Sequence, residues 1–490
     1  MKKLIPLGFL LFVCSTKAQI SNLANLASGE MEMFAPIFEQ DHNVYGYFSL
    51  FKLDKLNENE EKFEYVILDK NLNKVANGEF VDASYKGILS KYYTPDKIGN
   101  RLLLTKRYGN MNGSIAFTST RILELETNKV LDPFYIDDGI LIKDSRAVEN
   151  LKKEQKSRQF FNVPLGVDNG FVVIEVQKKM AKQNPSKIYY YNLNGDKIWE
   201  YDFGGDERKT EYNLLSFDQD VMYFSYSTHD NSDSNVKFQQ IDVKTGALNF
   251  SYTLEDHNSE YNYSYTVKRN GNRTILTGKI SPYRTTGYNY QNAVGLFKIV
   301  LDEKGNEIFK KHFLWEEAND FIEMSKKGKL EKGYRLYVQS YFVFKDERIV
   351  VLSEKFKVGT NILIGGILKT TDFVLLEFDK DFNLTSADTI EKDLSKFMVS
   401  DFLFSQYLND EKDGVFFYRD YQKDSETKER NWILGIVSLV NGEIKHEKIP
   451  MSSDEYYIYP YIAKEGYILL REFNKNSDFD EIRLERLNLD

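Results

Sequence analysis

One pattern recurs eight times along this chain and constrains its fold more than any other feature: an apolar, aromatic-rich segment, a short polar turn, then a segment richer in aliphatic residues. The turns sit at Asp41-His42-Asn43, Ile98-Gly99-Asn100, Asp168-Asn169-Gly170, Asp218-Gln219-Asp220, Asn270-Gly271-Asn272, Lys345-Asp346-Glu347, Lys412-Asp413-Gly414 and Lys464-Glu465-Gly466. They recur about every 60 residues, longer than the WD-type propeller period and near the kelch one. Seven units carry a second hairpin downstream, with tips such as Asn71 to Asn73, Asn194-Gly195 and Asn441-Gly442. Asn, Asp and Gly adopt the left-handed backbone that tight strand turns demand. Each unit thus supplies four antiparallel strands, A to D in chain order. The prediction is an all-β chain forming a single β-propeller of four-stranded blades, eight in number, with seven as the alternative count.

The eighth unit stops after its third strand, Ile482 to Leu487, and only Asn488, Leu489 and Asp490 follow. At the other end, Ile20 to Ala27 precede the first A strand without a partner of their own. Segment 20–27 is therefore expected to close the last blade, removing an exposed edge that would invite aggregation. The composition agrees with a strand-built chain, since 33 Tyr and 35 Phe stand against only 9 Pro.

Residues 1–18 read as a signal peptide: Lys2 and Lys3 precede an apolar run from Leu4 to Val13 that ends at small residues, Thr16 and Ala18. Ten apolar residues are too few to span a bilayer, and no second apolar segment of that length follows. With Lys2, Lys3 and Lys17 removed from 65 basic residues, 62 remain against 74 acidic, a net charge of −12. Such a surface repels phosphate backbones, so no nucleic-acid partner is expected. The single cysteine, Cys14, leaves with the signal, and residues 19–490 have no disulfide to rely on. The combination of exported start, cysteine-free body and repeated four-stranded units resembles uncharacterised exported β-propeller proteins of Bacteroidota. That resemblance implies a periplasmic, cell-surface or secreted location and brings no activity with it.

Antiparallel order sends the A-to-B and C-to-D turns to one face and the B-to-C and D-to-A loops to the other. The first face is uniformly short. The second is long and varied, and function concentrates on such loops. Charged, helix-like insertions are expected there at residues 144–159 and 316–332, the latter with Ala318, Phe321 and Ile322 as an apolar stripe. The fifth B-to-C loop carries Tyr283, Arg284, Tyr288 and Tyr290, amphipathic groups suited to stacking on a sugar or holding a peptide, and these are the expected ligand-binding residues. The sixth carries Ile362, Leu363, Ile364, Gly365, Gly366, Ile367 and Leu368, an apolar hairpin that would make a partner contact if exposed.

Signals for chemistry are sparse. Asp69-x-Asn71-x-Asn73 and Asp379-x-Asp381-x-Asn383 imitate the start of a calcium loop, but lack its Gly and its closing Glu, so they read as hairpin tips. His229, Asp230 and Asp233 share a face with Asp256, His257 and Glu260, a proximity too loose to assign a metal. No Gly-x-Ser-x-Gly elbow or His-Glu-x-x-His motif occurs, so no catalytic residue and no cofactor are assigned. The expected function is non-enzymatic: an exported binding or scaffold propeller engaging a protein, peptide or glycan through its long-loop face. The rivals are a polysaccharide-active hydrolase or lyase with paired carboxylates at the axial cleft, and a structural subunit of an envelope assembly.

Overall fold

The structure, a computed structural model, describes residues 20–23, 26–85, 88–109, 115–137, 140–142, 164–174, 187–203, 210–218, 220–230, 233–283, 293–361, 365–397, 400–423, 430–451, 456–474 and 480–489. Residues 1–18, the segment 144–159, Arg284, Tyr288, Tyr290, Ile362, Leu363 and Ile364 lie outside these residues.

Among the described residues the strands follow the repeat. Unit one is an antiparallel meander of Glu30–Phe38, Val44–Asn57, Glu60–Asp69 and Lys74–Ala83. Unit four (Thr210–Asp218, Val221–Asp230, Asp233–Asp242, Leu248–Glu255) and unit five (Tyr261–Asn270, Arg273–Pro282, Gly295–Leu301, Glu307–Leu314) repeat it. So do unit six (Arg335–Val343, Ile349–Asn361, Gly365–Phe378, Leu384–Ile390) and unit seven (Phe402–Leu408, Asp413–Lys423, Arg430–Val440, Glu443–Pro450). Unit three is a shorter version, Leu165–Val167, Gly170–Ile174, Lys187–Asn192 and Lys197–Asp202.

Unit two is irregular. Its first strand is split into Leu89–Tyr92 and Asp96–Ile98 around Pro95, and its outer strand into Lys129–Val130 and Phe134–Asp137 around Pro133. Proline lacks the N–H a ladder needs, so pairing lapses at each. Units one and two share one hydrogen-bonded sheet through a single parallel pair, Phe38 with Asp96. The last sheet holds Tyr457–Ile462, Tyr467–Phe473 and Asp480–Arg486, and its outer position is taken by Ile20–Asn22, antiparallel with Ile20 opposite Arg483.

The core explains how the sheets sit together. Eight buried apolar clusters among the described residues join one unit to the next: Phe48, Tyr65 and Leu102 join units one and two, Phe134 and Phe171 units two and three, and Tyr190 and Phe224 units three and four. Phe238 and Phe297 join units four and five, Val343 and Phe313 units five and six, Phe373 and Phe416 units six and seven, and Phe417 and Leu470 units seven and eight. Phe34, Tyr47, Leu469 and Ile482 then join unit eight back to unit one. Sheets packed face to face in sequence, with the last against the first, form a closed β-propeller. Each fully buried aromatic adds roughly 1.5–3 kcal/mol of transfer free energy, which supplies the stabilisation that disulfides would give elsewhere.

Glycine marks the places where aromatic rings need the space. A Cβ on Gly435 would stand 2.2 Å from the Tyr418 ring, which lies across it to reach His446 Nε2 at 2.6 Å. At Gly246, with φ +70°, the ring of Trp199 from the preceding unit rests on the tip, and its Nε1 donates to the Val243 carbonyl at 2.8 Å.

The hairpin tips and turns adopt the expected left-handed backbone at Leu72, Asn128, Gly195, Gly246, Gly305, Phe382 and Gly442. One turn is displaced. The expected Lys412-Asp413-Gly414 turn lies instead over Asn409, Asp410 and Glu411, all with positive φ, and the seventh B strand already begins at Asp413. Gly414 is a strand residue, there because the Phe342 ring would meet a Cβ at 2.9 Å.

The expected helical insertion at 316–332 consists of two short 3-10 turns, Trp315–Asp320 and Glu331–Gly333. Trp315 and Ala318 are buried, and Ile322 packs on the same cluster, whereas Phe321 is 45% exposed. Only part of the stripe therefore serves the core. No helix among the described residues is long and apolar enough to cross a membrane.

Candidate functional site

The two faces of the ring differ in a way that locates its mouth. On the A-to-B face, turns of non-neighbouring units touch. Gln40 Nε2 donates to the Asp168 carbonyl at 2.6 Å, joining units one and three, and the His42 ring lies 6.1 Å from Phe217 of unit four. Lys268 of unit five bonds Glu411 of unit seven at 2.6 Å. Neighbouring turns are tied as well, Arg269 to Asp220, Asn270 to the Lys345 carbonyl, Lys345 to Asp410, and the Asn409 N–H to Glu465. Such cross-ring contacts require the inner turns to converge on the axis. This face is a polar floor.

The C-to-D tips on the same side are self-satisfied. Asp69 Oδ1 accepts the N–H groups of Asn71 and Asn73 at 2.8 Å, and Asp379 Oδ1 accepts that of Asn383 at 2.8 Å. Asp302 and Asn192 repeat the arrangement. Burial lifts the Asp69 and Asp379 carboxyls, but hydrogen bonds from Asn73 and Asn383 outweigh it and hold both below the ordinary aspartate value. The calcium-like sequences are turn devices. Among the described residues no group of three or more His, Cys, Asp or Glu is arranged to hold a metal.

On the opposite, long-loop face, units seven and eight present aromatic side chains to solvent. Trp432, near the start of a C strand, is 36% exposed, and Tyr457 and Tyr459, at the start of the last A strand, are 46% and 47% exposed. Both tyrosines stack on Phe473, at 5.8 and 5.7 Å with interplanar angles of 30° and 14°. The strand period of two explains the row. Tyr457, Tyr459 and the cross-strand partner Phe473 share one side of the sheet.

Each platform is backed by an arginine. The Arg471 guanidinium lies 5.3 Å from the Phe473 centroid and is fixed by two bonds to Asp480 at 2.9 and 2.7 Å. The Arg419 guanidinium lies 4.7 Å from the Trp432 centroid, with Tyr421 edge-on to the indole at 5.6 Å.

Arg419 is held from below by a buried ionic cluster. Its Nε donates to Asp401 Oδ1 at 3.0 Å, and Asp401 Oδ2 accepts from Lys392 Nζ at 2.8 Å. Lys392 also lies 3.3 Å from Glu354 Oε1, a charge contact outside hydrogen-bond alignment, while Ser400 Oγ donates to Glu354 Oε2 at 2.6 Å. The side chains of Glu354 and Lys392 are fully buried, and burial raises the Glu354 carboxyl above its ordinary value despite the lysine. This cluster carries the indole platform through Arg419.

The residues expected from sequence are only partly placed. Tyr283 is half-buried, and its N–H donates to the Glu260 carbonyl at 2.9 Å, which ties the fifth B-to-C loop to the preceding D-to-A loop. Arg284, Tyr288 and Tyr290 are outside the described residues. Asp256 of the loose His/Asp set accepts the Asn258 N–H at 2.9 Å and bonds Ser259, so it shapes its own loop. In the apolar hairpin, Ile367 pairs with Gly359, and Leu368 with Val358 and Phe397. Trp432, Tyr457, Tyr459 and Phe473 went unrecognised as a group. Tyr-x-Tyr marks the start of the last A strand, but the same pattern at Tyr45-Gly46-Tyr47 leads into the core, where Tyr47 is fully buried, so the pattern does not single the group out.

Among curated proteins, none matches this sequence. Solved structures with a similar course include the β-propeller domain of the Trilobed protease from Pyrococcus furiosus, at 10% identity and TM-score 0.35 over 81% of this chain and 95% of that one. The polysaccharide lyase Uly1 matches at 9% identity and TM-score 0.33 over 81% and 90%. Prolyl oligopeptidase B from Galerina marginata matches at 10% identity and TM-score 0.40 over 92% of this chain and 56% of its own, so the present chain spans little more than half of that enzyme. A family model matches residues 1–402, most of the length, and the chain therefore belongs to the family of unknown function DUF6770.

Proposed function

We propose that this chain is an exported, non-enzymatic propeller of eight blades that binds its ligand at the long-loop face. In this reading residues 1–18 are removed on export to the periplasm or cell surface, the domain runs 19–490, and segment 20–27 closes the last blade. The pairing of Ile20–Asn22 with Asp480–Arg486 and the cluster joining units eight and one support that closure. The observation that carries the functional reading is the contrast of faces. Inner turns cross-link over the axis on one side, while Trp432, Tyr457 and Tyr459 are exposed on the other. Glu354 and Asp401, acids on the mouth side, are engaged with Lys392 and Arg419, so they act as supports in this account and not as a hydrolytic pair.

The reading is tested by capturing ligand from envelope extract on the immobilised full chain. Trp432→Ala with Tyr459→Ala, and separately Ala at Tyr283, Arg284, Tyr288 and Tyr290, should reduce retention with folding preserved. Retention unchanged by both sets, or lost on substituting the turn-face residues Gln40 and Lys268, would overturn it.

A further inference from the structure

We infer that the exposed aromatic groups of units seven and eight are stacking platforms for a neutral glycan. The inference rests on the long-loop face being the binding face, and adds the chemistry of what binds there. Four large aromatic side chains are exposed among the described residues, Phe321, Trp432, Tyr457 and Tyr459, and three of them belong to the adjacent units seven and eight, at the long-loop ends of their strands. Such a concentration marks a recognition surface.

Ring geometry and charge indicate the ligand. Tyr457 and Tyr459 are two residues apart on one strand, which sets two ring stations about 7 Å apart. Phe473 holds them in register. Arg419 and Arg471 stack behind Trp432 and Phe473 and are anchored by Asp401 and Asp480, so the rings are rigid before any ligand arrives. Preorganised rings lose little freedom on binding. An aromatic face carries negative charge density and attracts the weakly positive C–H groups of a sugar ring, as it attracts a cation. The phenol and indole edges supply hydrogen bonds at the rim.

The same features disfavour anionic ligands. Both arginines already hold aspartates, so neither offers the carboxylate-binding fork that an acidic polymer would need. The excess of acidic over basic residues, 74 against 65 in the full sequence, repels polyanions further. A peptide anchored by aliphatic side chains would favour aliphatic walls, whereas among the described residues the exposed large hydrophobic groups of unit eight are both tyrosines.

The experiment titrates the full chain with a panel of neutral hexasaccharides (β- and α-glucan, xylan, mannan and chitin types), read by tryptophan emission and by calorimetry. Trp315 is buried and Trp199 is stacked on Gly246, so Trp432 is the reporter. At least one sugar should change the emission. Trp432→Ala and Tyr459→Ala should each weaken that binding about tenfold or more with an unchanged melting curve, and Trp432→Phe should restore most of it. Should the alanine variants melt early, Trp432→Gln and Tyr459→Ser carry the same expectation.

Absence of binding across the panel, or binding indifferent to these substitutions, overturns the glycan assignment. A displayed-peptide library separates the two claims. Peptides retained by the parent and lost by the same variants would keep the binding face and remove the glycan. Loss of both dependences would remove both.

Discussion

Replacing Glu255 with Gln should make the protein more stable at pH 8 and leave it unchanged at pH 4. Glu255 ends the outer strand of unit four, is 4% exposed and accepts the Tyr263 N–H at 2.6 Å. Burial pushes its carboxyl up to about 7, against an ordinary value of 4.5, with the Tyr263 bond opposing weakly. In the unfolded chain the group ionises near its ordinary value, while in the folded protein it keeps its proton until about pH 7. Between those values the unfolded state binds fewer protons, so stability falls as pH rises, and above them the loss is constant. A gap of about 2.5 units corresponds to roughly 3 kcal/mol. For a chain of this size that is a melting shift of about 3 °C. Gln keeps the accepting oxygen and cannot ionise, so it escapes the loss. Calorimetric melts of both proteins at pH 4, 5.5, 7 and 8 should give a difference that opens between pH 4.5 and 7 and then levels, since every other titrating group is common to both. A difference independent of pH would refute the buried, protonated carboxyl.

Lys392→Met should destabilise the protein by about 3–5 kcal/mol, because it leaves Asp401 and Glu354 buried beside each other without their shared cation, and chemical denaturation would report it. Gly435→Ala should cost at least about 1–3 kcal/mol, because the added methyl overlaps the Tyr418 ring. A melt within a degree of the parent would remove the claim that the ring needs that space. Deleting residues 19–29 should lower solubility and melting temperature by baring the edge of Asp480–Arg486, checked by sedimentation and thermal scans. Intact mass of the envelope-fraction protein should begin at Gln19, and a species starting at Met1 would overturn the signal reading.

The strand order was legible because its punctuation is chemical. Residues such as Asn128, Gly195 and Gly246 take a backbone conformation that most side chains resist, so hairpin tips can be placed from residue type. The Asn409 to Glu411 turn was misplaced because Gly414 advertised a turn while serving to admit the ring of Phe342. The double interruption of unit two is also written in the sequence, at Pro95 and Pro133, where a residue without an N–H breaks strands that the repeat period alone would leave continuous. The aromatic platform was a different problem. Among 33 tyrosines, nothing local distinguishes Tyr459, which is open, from Tyr47, which is fully buried; only the packing of neighbouring units does.

The pairing of Ile20–Asn22 with Asp480–Arg486 has a consequence for the order in which the molecule is made. Units one to seven can form their local hairpins as the chain emerges, but the last sheet needs strands from opposite ends of the sequence. Until Asp480–Arg486 has been synthesised, the N-terminal strand has nowhere to dock, and the facing walls of units one and seven stay open to solvent. Joining such distant segments is entropically slow. Sealing the ring is therefore expected late in assembly, and until then the apolar surfaces of Phe34, Tyr47, Val415 and Phe417 are the ones a chaperone would need to shield.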